Sequence, residues 1–473
     1  MKRIPAIIFF VITILLACNI IVNAAPNVYE DFEYYLESDR ATITKYIGDG
    51  NNVTIPDTID GCKVVRVDGA FYENETIESV VIPDSVSIGT WTFYNCLNLK
   101  NIVFEGAVDS IGYGAFEGCS SLVDIQLPST INKIEQNLFM NCTSLKSISV
   151  PDGITVIDVN AFNNCVSLEK IELPGTLLTI SASAFNNCTS LRSIELPEGL
   201  KSIGVRAFAY SGIQDITIPQ GIWNFGDRVF WGCESLKSIC FNNSMNSIPT
   251  STFNGCCQLD HIVMPTGLRV IESGAFYNCE LLNEIDLTGV TVIQNNAFDN
   301  TGIFYNDENW DNNVLYYDNC LLYAKPLLNG EYRIKEETRL IAQNAFKSCD
   351  NLSTLYFPYS IKNGRINVCT DSIPIEHTEI FCYYLGSREE CFHHITRPNS
   401  AYGRDLIHAL KVIVLGDISG DEKIGTKDLK IIKLVLAGLY NMTSEEEKHA
   451  DVNGDGLIDI KDYVALKRHL TFN

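Results

Sequence analysis

The sequence predicts two architectures in one chain: a repeat solenoid with one parallel strand per 22–23-residue coil and a turn-rich convex side, then a small all-α domain with two acidic loops. Three observations predict this. Phenylalanine recurs at Phe71, Phe93, Phe116, Phe139, Phe162, Phe185, Phe208, Phe230, Phe253, Phe276 and Phe298, always 22 or 23 residues apart, and again at Phe346 after 48. The shared phrase is I-x-x-x-A-F-x-x-C-x-x-L-x-x-I-x-L-P. Near the end stand "DISGDEKIGTKD" (Asp417 to Asp428) and "DVNGDGLIDIKD" (Asp451 to Asp462), each with oxygen-bearing side chains at positions 1, 3, 5 and 12.

Each element follows from its residues. Leu168 to Pro174, LEKIELP, alternates with a period of two and suits a short strand with one buried face. Pro174 cannot donate to a ladder and ends it. The chain then turns and returns with Ile180, Ala184 and Phe185 inward. One coil cannot bury its apolar side alone, but stacked coils can, as a period of this length implies.

Nine of the 17 cysteines sit three residues after the phenylalanine: Cys96, Cys119, Cys142, Cys165, Cys188, Cys233, Cys256, Cys279 and Cys349. Other copies place Asn74, Ser211 or Thr301 there. A slot shared by these types is small, inward and weakly polar. It is neither a disulfide framework nor metal-ligand spacing.

These phrases resemble the leucine-rich repeats of BspA-like bacterial surface proteins, over roughly Tyr34 to Pro358. The resemblance implies binding of a protein, a glycan or a host surface. Residues 25–69 read as a β-rich cap and 70–358 as the solenoid, with a hairpin insertion at about 303–335 that is rich in aromatics and turn residues. The residues flanking each strand Ile point outward: Asp124 and Gln126, Ser147 and Ser149, Lys170 and Glu172, Ser193 and Glu195, Asp215 and Thr217, His261 and Val263, Glu284 and Asp286. They form no aromatic row on which sugars could stack. Trp223, Trp231, Trp310, Tyr316 and Tyr317 are either packing residues or a binding edge.

Residues 359–411 read as a C-terminal cap and linker, with a strand and a short helix between Glu379 and Asn399. Cys382, Cys391, His393 and His394 match no common zinc spacing; a Cys382–Cys391 disulfide and unlinked packing both stay open. The chain shows no nucleophile motif, acid/base pair or Gly-rich phosphate loop, so no nicotinamide or flavin cofactor is expected.

The twelve-residue segments have the spacing of EF-hand calcium loops, in which a hard cation gathers carboxylates and a backbone carbonyl. The second loop offers Asp451, Asn453, Asp455, the Leu457 carbonyl, Asp459 and Asp462, with Gly456 at the sharp turn. The first offers Asp417, Ser419, Asp421, the Lys423 carbonyl and Asp428. It departs from the pattern at Ser419, Glu422 and Gly425, so weaker calcium binding is expected there. Apolar helix patterns follow each loop, and Met442 to Asp451 reads as a linking helix capped by Thr443 or Ser444. No clear entering helix precedes either loop, and position 12 is Asp in both. The duplicated phrases from Gly416 to Leu470 instead resemble a type I dockerin, placed at 412–473. That resemblance implies two calcium ions and a cohesin module of a scaffoldin as partner. It also implies contacts through loop positions 10 and 11, here Thr426 and Lys427, Ile460 and Lys461, and through Lys433, Lys467 and Arg468. The halves agree at position 11 and differ at 10, which leaves a symmetric docking mode open. Solubilising charge is the plainer reading of any one lysine.

The net charge of −23 argues against nucleic acid and anionic lipid as partners. Residues 1–24 read as a signal peptide cut after Ala24; lipidation at Cys18 and an uncleaved anchor are the alternatives. All three place the protein outside the cytoplasm. The function expected is therefore a secreted, non-catalytic, cellulosome-associated binding protein linked to polysaccharide breakdown. An adhesion lipoprotein, or a hydrolase or protease-related enzyme with an unrecognised site, are the rivals.

Overall fold

The structure, a computed structural model, describes residues 27–358, 366–369, 373, 378–384, 395–396, 410–414, 417–419, 424–452 and 457–472. The leader with Cys18, together with Cys391, His393 and His394, lies outside the described residues. So does most of the stretch expected to hold a short helix after Glu379.

The chain clusters into two compact units, Met1–Leu177 and Leu178–Asn473. In the first, Phe32–Glu37 and Arg40–Tyr46 form an antiparallel hairpin, and Cys62–Val67 joins Arg40–Tyr46 in parallel. The hairpin caps the core by starting its ring column. Phe32 lies 5.5 Å from Tyr46, and Tyr46 lies 5.2 Å from Phe71. Phe71, Phe93, Phe116, Phe139 and Phe162 then stack at 5.1–5.6 Å with near-parallel planes. In the second unit Phe185, Phe208, Phe230, Phe253, Phe276 and Phe298 repeat the column at 5.4–5.8 Å. Burying each ring contributes roughly 1.5–3 kcal/mol, so the column is a continuous apolar support of the coils beside their buried Leu and Ile.

The expected strand is present in most coils, with Ile148 paired to Ile171 in one unit and Ile216, Ile239 and Ile262 aligned in the other. The coils at Ile194 and Ile285 pass the same place without one, and that at Ile125 makes a single bridge from Asp124 to Ser147. A second ladder, only two residues wide, runs through the Ile that precedes the A-F phrase: Ile180 pairs with Ile203, and Ile271 with Ile248 on one side and Ile293 on the other. Two inward ladders, built mostly of isoleucine, thus zip the stack on two sides, with Phe225 taking the place opposite Ile203.

The convex turns explain the recurrent asparagines. Residues two before and two after each phenylalanine from Phe71 to Phe298 have positive φ, such as Asn137 and Asn141 at 59° and 63° around Phe139. Asn and Gly adopt this left-handed region more readily than other residues. From this shape three N–H groups per coil reach the next: Asn137, Phe139 and Asn141 donate to the carbonyls of Val159, Ala161 and Asn163 at 3.0, 2.8 and 2.8 Å.

The insertion is a three-stranded meander of Trp310–Asp311, Val314–Tyr317 and Cys320–Ala324, joined by Asn312-Asn313 and Asp318-Asn319, all with positive φ. Two-residue loops of that form match the twist of the strands they join. Cys320–Ala324 then pairs in parallel with Leu340–Ile341, returning the chain to the coil pattern. The parallel sheet also outlasts the repeat phrase: Leu352–Tyr356, Glu379–Tyr384 and Leu410–Val414 form successive rungs.

Three helices close the chain, Thr426–Leu436, Ser444–Ala450 and Ile460–Phe472. Their shared core is Ile418, Ile432, Ala450, Val452 and Leu466. The middle helix is capped as expected: Thr443 Oγ1 accepts from Glu446 N at 3.2 Å, and the Glu446 carboxylate accepts from Thr443 N at 2.7 Å. It ends at Ala450, directly before Asp451, so a helix does enter the second loop. The acid-rich EEEKHA pattern hid that role because it carries little apolar periodicity.

Candidate metal and docking site

The cysteine slot is structural. All nine slot thiols are buried and, like Cys62, Cys240, Cys257, Cys320 and Cys369, free of disulfides, while the Cys382 side chain lies outside what is described. Cys119, Cys142, Cys256 and Cys279 each donate S–H to the carbonyl of the previous coil's phenylalanine at 3.1 Å. Burial pushes the Cys96 thiol up to about 12 and that of Cys233 up to about 11, against an ordinary 9.0. Such groups stay protonated and are poor nucleophiles.

The outward strand residues lie where the alternation places them, exposed on the face opposite the core. In the first unit they line a polar groove of about 870 Å³ that includes Asp124, Gln126, Ser147, Ser149, Lys170 and Glu172. The aromatics divide. Tyr316 is buried and its hydroxyl accepts from Tyr332 at 3.0 Å; Tyr317 accepts from Ile285 N, and Trp310 donates to Phe304 O at 2.8 Å. These three pack the insertion. Trp223 is exposed, and Trp231 lies under Arg206. A cluster of Tyr72, Tyr94, Trp91 and Tyr113 on the first unit went unread, although Tyr72 and Tyr94 each follow the repeat phenylalanine and stack at 4.9 Å.

The two acidic loops are built alike. Position 12 receives the N–H of position 9 in both: Gly425 N donates to Asp428 Oδ2 at 2.7 Å, and Asp459 N to Asp462 Oδ2 at 2.8 Å. Ser419 N also donates to Asp428 Oδ1 at 2.8 Å, drawing the first loop's ends together. These carboxylates therefore start the helices that follow. Asp417, Asp428 and Asp462 are buried at 4%, 1% and 0% exposure. Burying carboxylates is costly unless positive charge or hydrogen bonds compensate it. The Ser419 hydroxyl is buried with no hydrogen-bond partner among the described residues. Buried carboxylates beside one unpartnered hydroxyl fit a hard cation. Asp421, Lys423, Asn453 and Asp455 lie outside the described residues, and no group of three His, Cys, Asp or Glu converges among the described ones. The Leu457 side chain is exposed, Asp451 follows the middle helix, and Asp459 also pairs with Lys461 at 3.6 Å.

Thr426, Lys427, Lys433, Ile460, Lys461, Lys467 and Arg468 are all exposed. Helical spacing places Thr426, Lys430 and Lys433 on one stripe, and Ile460, Val464 and Lys467 on the matching stripe of the last helix. Exposed Val464 lies on the same stripe, four residues after Ile460, and was not singled out from the sequence. Lys433 Nζ also sits 5.3 Å from the Tyr463 ring.

Six copies of the BspA type leucine rich repeat region match residues 67–192, 178–304 and 312–397. The chain belongs to the BspA-type leucine-rich-repeat proteins. A dockerin type I domain matches residues 415–471 of this BspA-type protein. Similar solved structures include a leucine rich cell surface protein from Faecalibacterium prausnitzii A2-165, at 22% identity over 80% of this chain and 99% of that one, TM-score 0.45. Others are a leucine-rich repeat protein from Bacteroides ovatus ATCC 8483, at 23% over 75% and 99%, TM-score 0.45, and the pneumococcal vaccine antigen PcpA, at 18% over 82% and 98%, TM-score 0.40. No curated protein matches the chain. A dockerin implies cohesin docking of the cellulosome kind and calcium binding, and leucine-rich repeats indicate protein binding. Both modules are typical of extracellular or surface proteins.

Proposed function

We propose that this is a secreted, non-catalytic component of a polysaccharide-degrading assembly, fastened through its dockerin to a scaffoldin cohesin while the solenoid presents a ligand surface. The observation that carries the reading is the duplicated loop-and-helix pair within a dockerin match, each half led by a buried position-12 carboxylate. In this reading residues 1–24 are the leader, 25–69 the cap, 70–358 the solenoid, 359–411 cap and linker, and 412–473 the dockerin.

Two calcium ions fit the donor set. Asp417, Ser419, Asp421, the Lys423 carbonyl and Asp428 would hold one; Asp451, Asn453, Asp455, the Leu457 carbonyl, Asp459 and Asp462 the other. Bound calcium supplies the positive charge that lets Asp417, Asp428 and Asp462 stay buried and lets both helices start from fixed loops. The docking face is then the two exposed stripes, which differ in kind. Thr426, Lys427, Lys430 and Lys433 form a polar, cationic half. Ile460, Lys461, Val464, Lys467 and Arg468 form a half with an apolar centre. Apolar anchors ringed by charge carry most of the energy in protein interfaces, so the last helix dominates the contact.

Calorimetry of the full chain against a cohesin panel, with calcium and then with excess chelator, tests this. Docking that vanishes with chelator and is weakened more by Ile460→Asp than by Thr426→Asp is expected. Docking that survives chelation would remove the calcium-dependent half of the reading.

A further inference from the structure

The second unit breaks its own convex ladder at one coil. Around Phe276, the N–H groups of Gly274, Phe276 and Asn278 donate to Asn295, Ala297 and Asp299 at 2.9, 2.9 and 3.0 Å. The corresponding donors one coil on, Asn296 N, Phe298 N and Asn300 N, meet no acceptor among the described residues. The insertion is the cause. Its strand Cys320–Ala324 takes the place of a coil edge: Ala324 N donates to Ala345 O at 2.8 Å, and Cys349 Sγ turns to the Ala324 and Lys325 carbonyls. The phenylalanine ladder passes to the hairpin, and the donors at Phe298 are left behind.

A cavity of about 350 Å³ opens there, within the ~300–1,000 Å³ usual for small-molecule sites. Asn296, Phe298 and Asp299 form one wall; Tyr323, Asn344 and Lys347 are on others, with Leu315 and Leu322 adding apolar surface. Unpaired N–H groups in a partly enclosed cleft call for an acceptor. The Asp299 carboxylate calls for a donor, and its pKa is raised by burial alone. Asn296 and Asn344 offer both kinds of group.

We propose that this cleft binds a neutral sugar residue, whose hydroxyls accept from the backbone N–H groups and donate to Asp299 while its apolar face rests on the Tyr323 and Leu322 side. A hydroxyl both gives and takes hydrogen bonds, so one pyranose satisfies the whole set. A simple anion would satisfy the N–H groups and Lys347 but would face the Asp299 carboxylate. This inference deepens the reading of the solenoid as the ligand-bearing half and rests on it. It is independent of the docking residues.

The test uses the full chain with calcium. Glucose, xylose, galactose and mannose, with acetate and sulfate as anion probes, are added at millimolar concentration, and hydrogen exchange is followed in peptides spanning Asn296 to Asn300. Protection by at least one sugar is expected, with its half-saturation concentration raised at least tenfold in Asp299→Asn and cohesin docking unchanged. Asn344→Ala, on a different wall, gives the same reading if Asp299→Asn does not fold. Protection by acetate or sulfate alone would overturn the proposal in favour of an anion site. No protection by any probe would overturn it in favour of a hydrated gap. Loss of cohesin docking in the unmutated chain would count against the proposed function and not against this cleft.

Discussion

The solenoid coils and the two dockerin halves are both internal repeats, but they hold their shape by opposite means. Each coil leans on its neighbours through a phenylalanine column, two isoleucine ladders and three N–H bonds per convex turn. Nothing ionic is required in that core. The dockerin halves share a small apolar centre, while three carboxylates, Asp417, Asp428 and Asp462, are also buried. Repetition in the first case multiplies apolar contact. In the second it multiplies a charge problem that a cation resolves.

Removing calcium should break the comparison most visibly. A cation at about 1,000 times its dissociation constant adds ~4 kcal/mol to the state that binds it, and the helical region has little else to lose before unfolding. Far-ultraviolet circular dichroism of the full chain with excess chelator should lose its helical component and keep its β signal. A helical signal that persists would mean that the five-residue apolar core suffices.

The converse experiment truncates the solenoid's column. Phe139 is fully buried between Phe116 and Phe162, and Phe139→Ala should cost ~3–5 kcal/mol in denaturant unfolding. Cohesin docking should be unaffected in native buffer. A cost below ~1 kcal/mol would show that the coil collapses around the gap and that its Leu and Ile suffice without the column.

How much of this was legible in the sequence follows from the same contrast. A period of 22–23 with Phe, Cys, Leu and Ile at fixed places shows which side chains go inward, because burial repeats when the backbone repeats. The outward face of each strand was readable for the same reason. The Asn at Phe+2 was visible but unread, since its cause is a backbone angle and not a contact. The break at Phe298 could not be read, because it arises from what the insertion displaces in space. In the dockerin, Asp428 and Asp462 were found by spacing alone. Val464 was not legible, because an apolar residue within a helix pattern reads as core until the fold shows it exposed.

The thiols sharpen the contrast through pH. A buried group whose pKa is raised favours the neutral form in the folded state. Its stabilising effect is full below the unfolded value near 9.0 and is lost as pH rises toward the folded value, about 12 for Cys96. Solenoid stability should therefore fall between roughly pH 9 and 12, in step with thiolate formation on unfolding. Below that window, a thiol reagent should reach the partly exposed Cys62, Cys240 and Cys257 in the native chain and the slot cysteines only after unfolding. Native labelling of Cys119 or Cys142 at pH 8 would contradict their place in the core.

The smallest effect tests the reading of the convex turns. Arg228 sits two residues before Phe230 with φ of 57°, a position where other coils hold Asn137, Asn160 or Gly114. A non-glycine, non-asparagine residue held there costs roughly 1–2 kcal/mol, and Asn tolerates the region better. Arg228→Asn should raise the unfolding free energy by up to ~1 kcal/mol, and Asn160→Arg should lower it by a similar amount. The pair separates backbone preference from side-chain bonding. Asn160 Nδ2 also donates to Asn137 Oδ1 at 3.2 Å, whereas Arg228 N donates to Thr250 O through its backbone. If Asn160→Arg destabilises and Arg228→Asn changes nothing, the recurrent asparagine is kept for its amide ladder. If both move as expected, it is kept because the coil needs a left-handed residue at that corner.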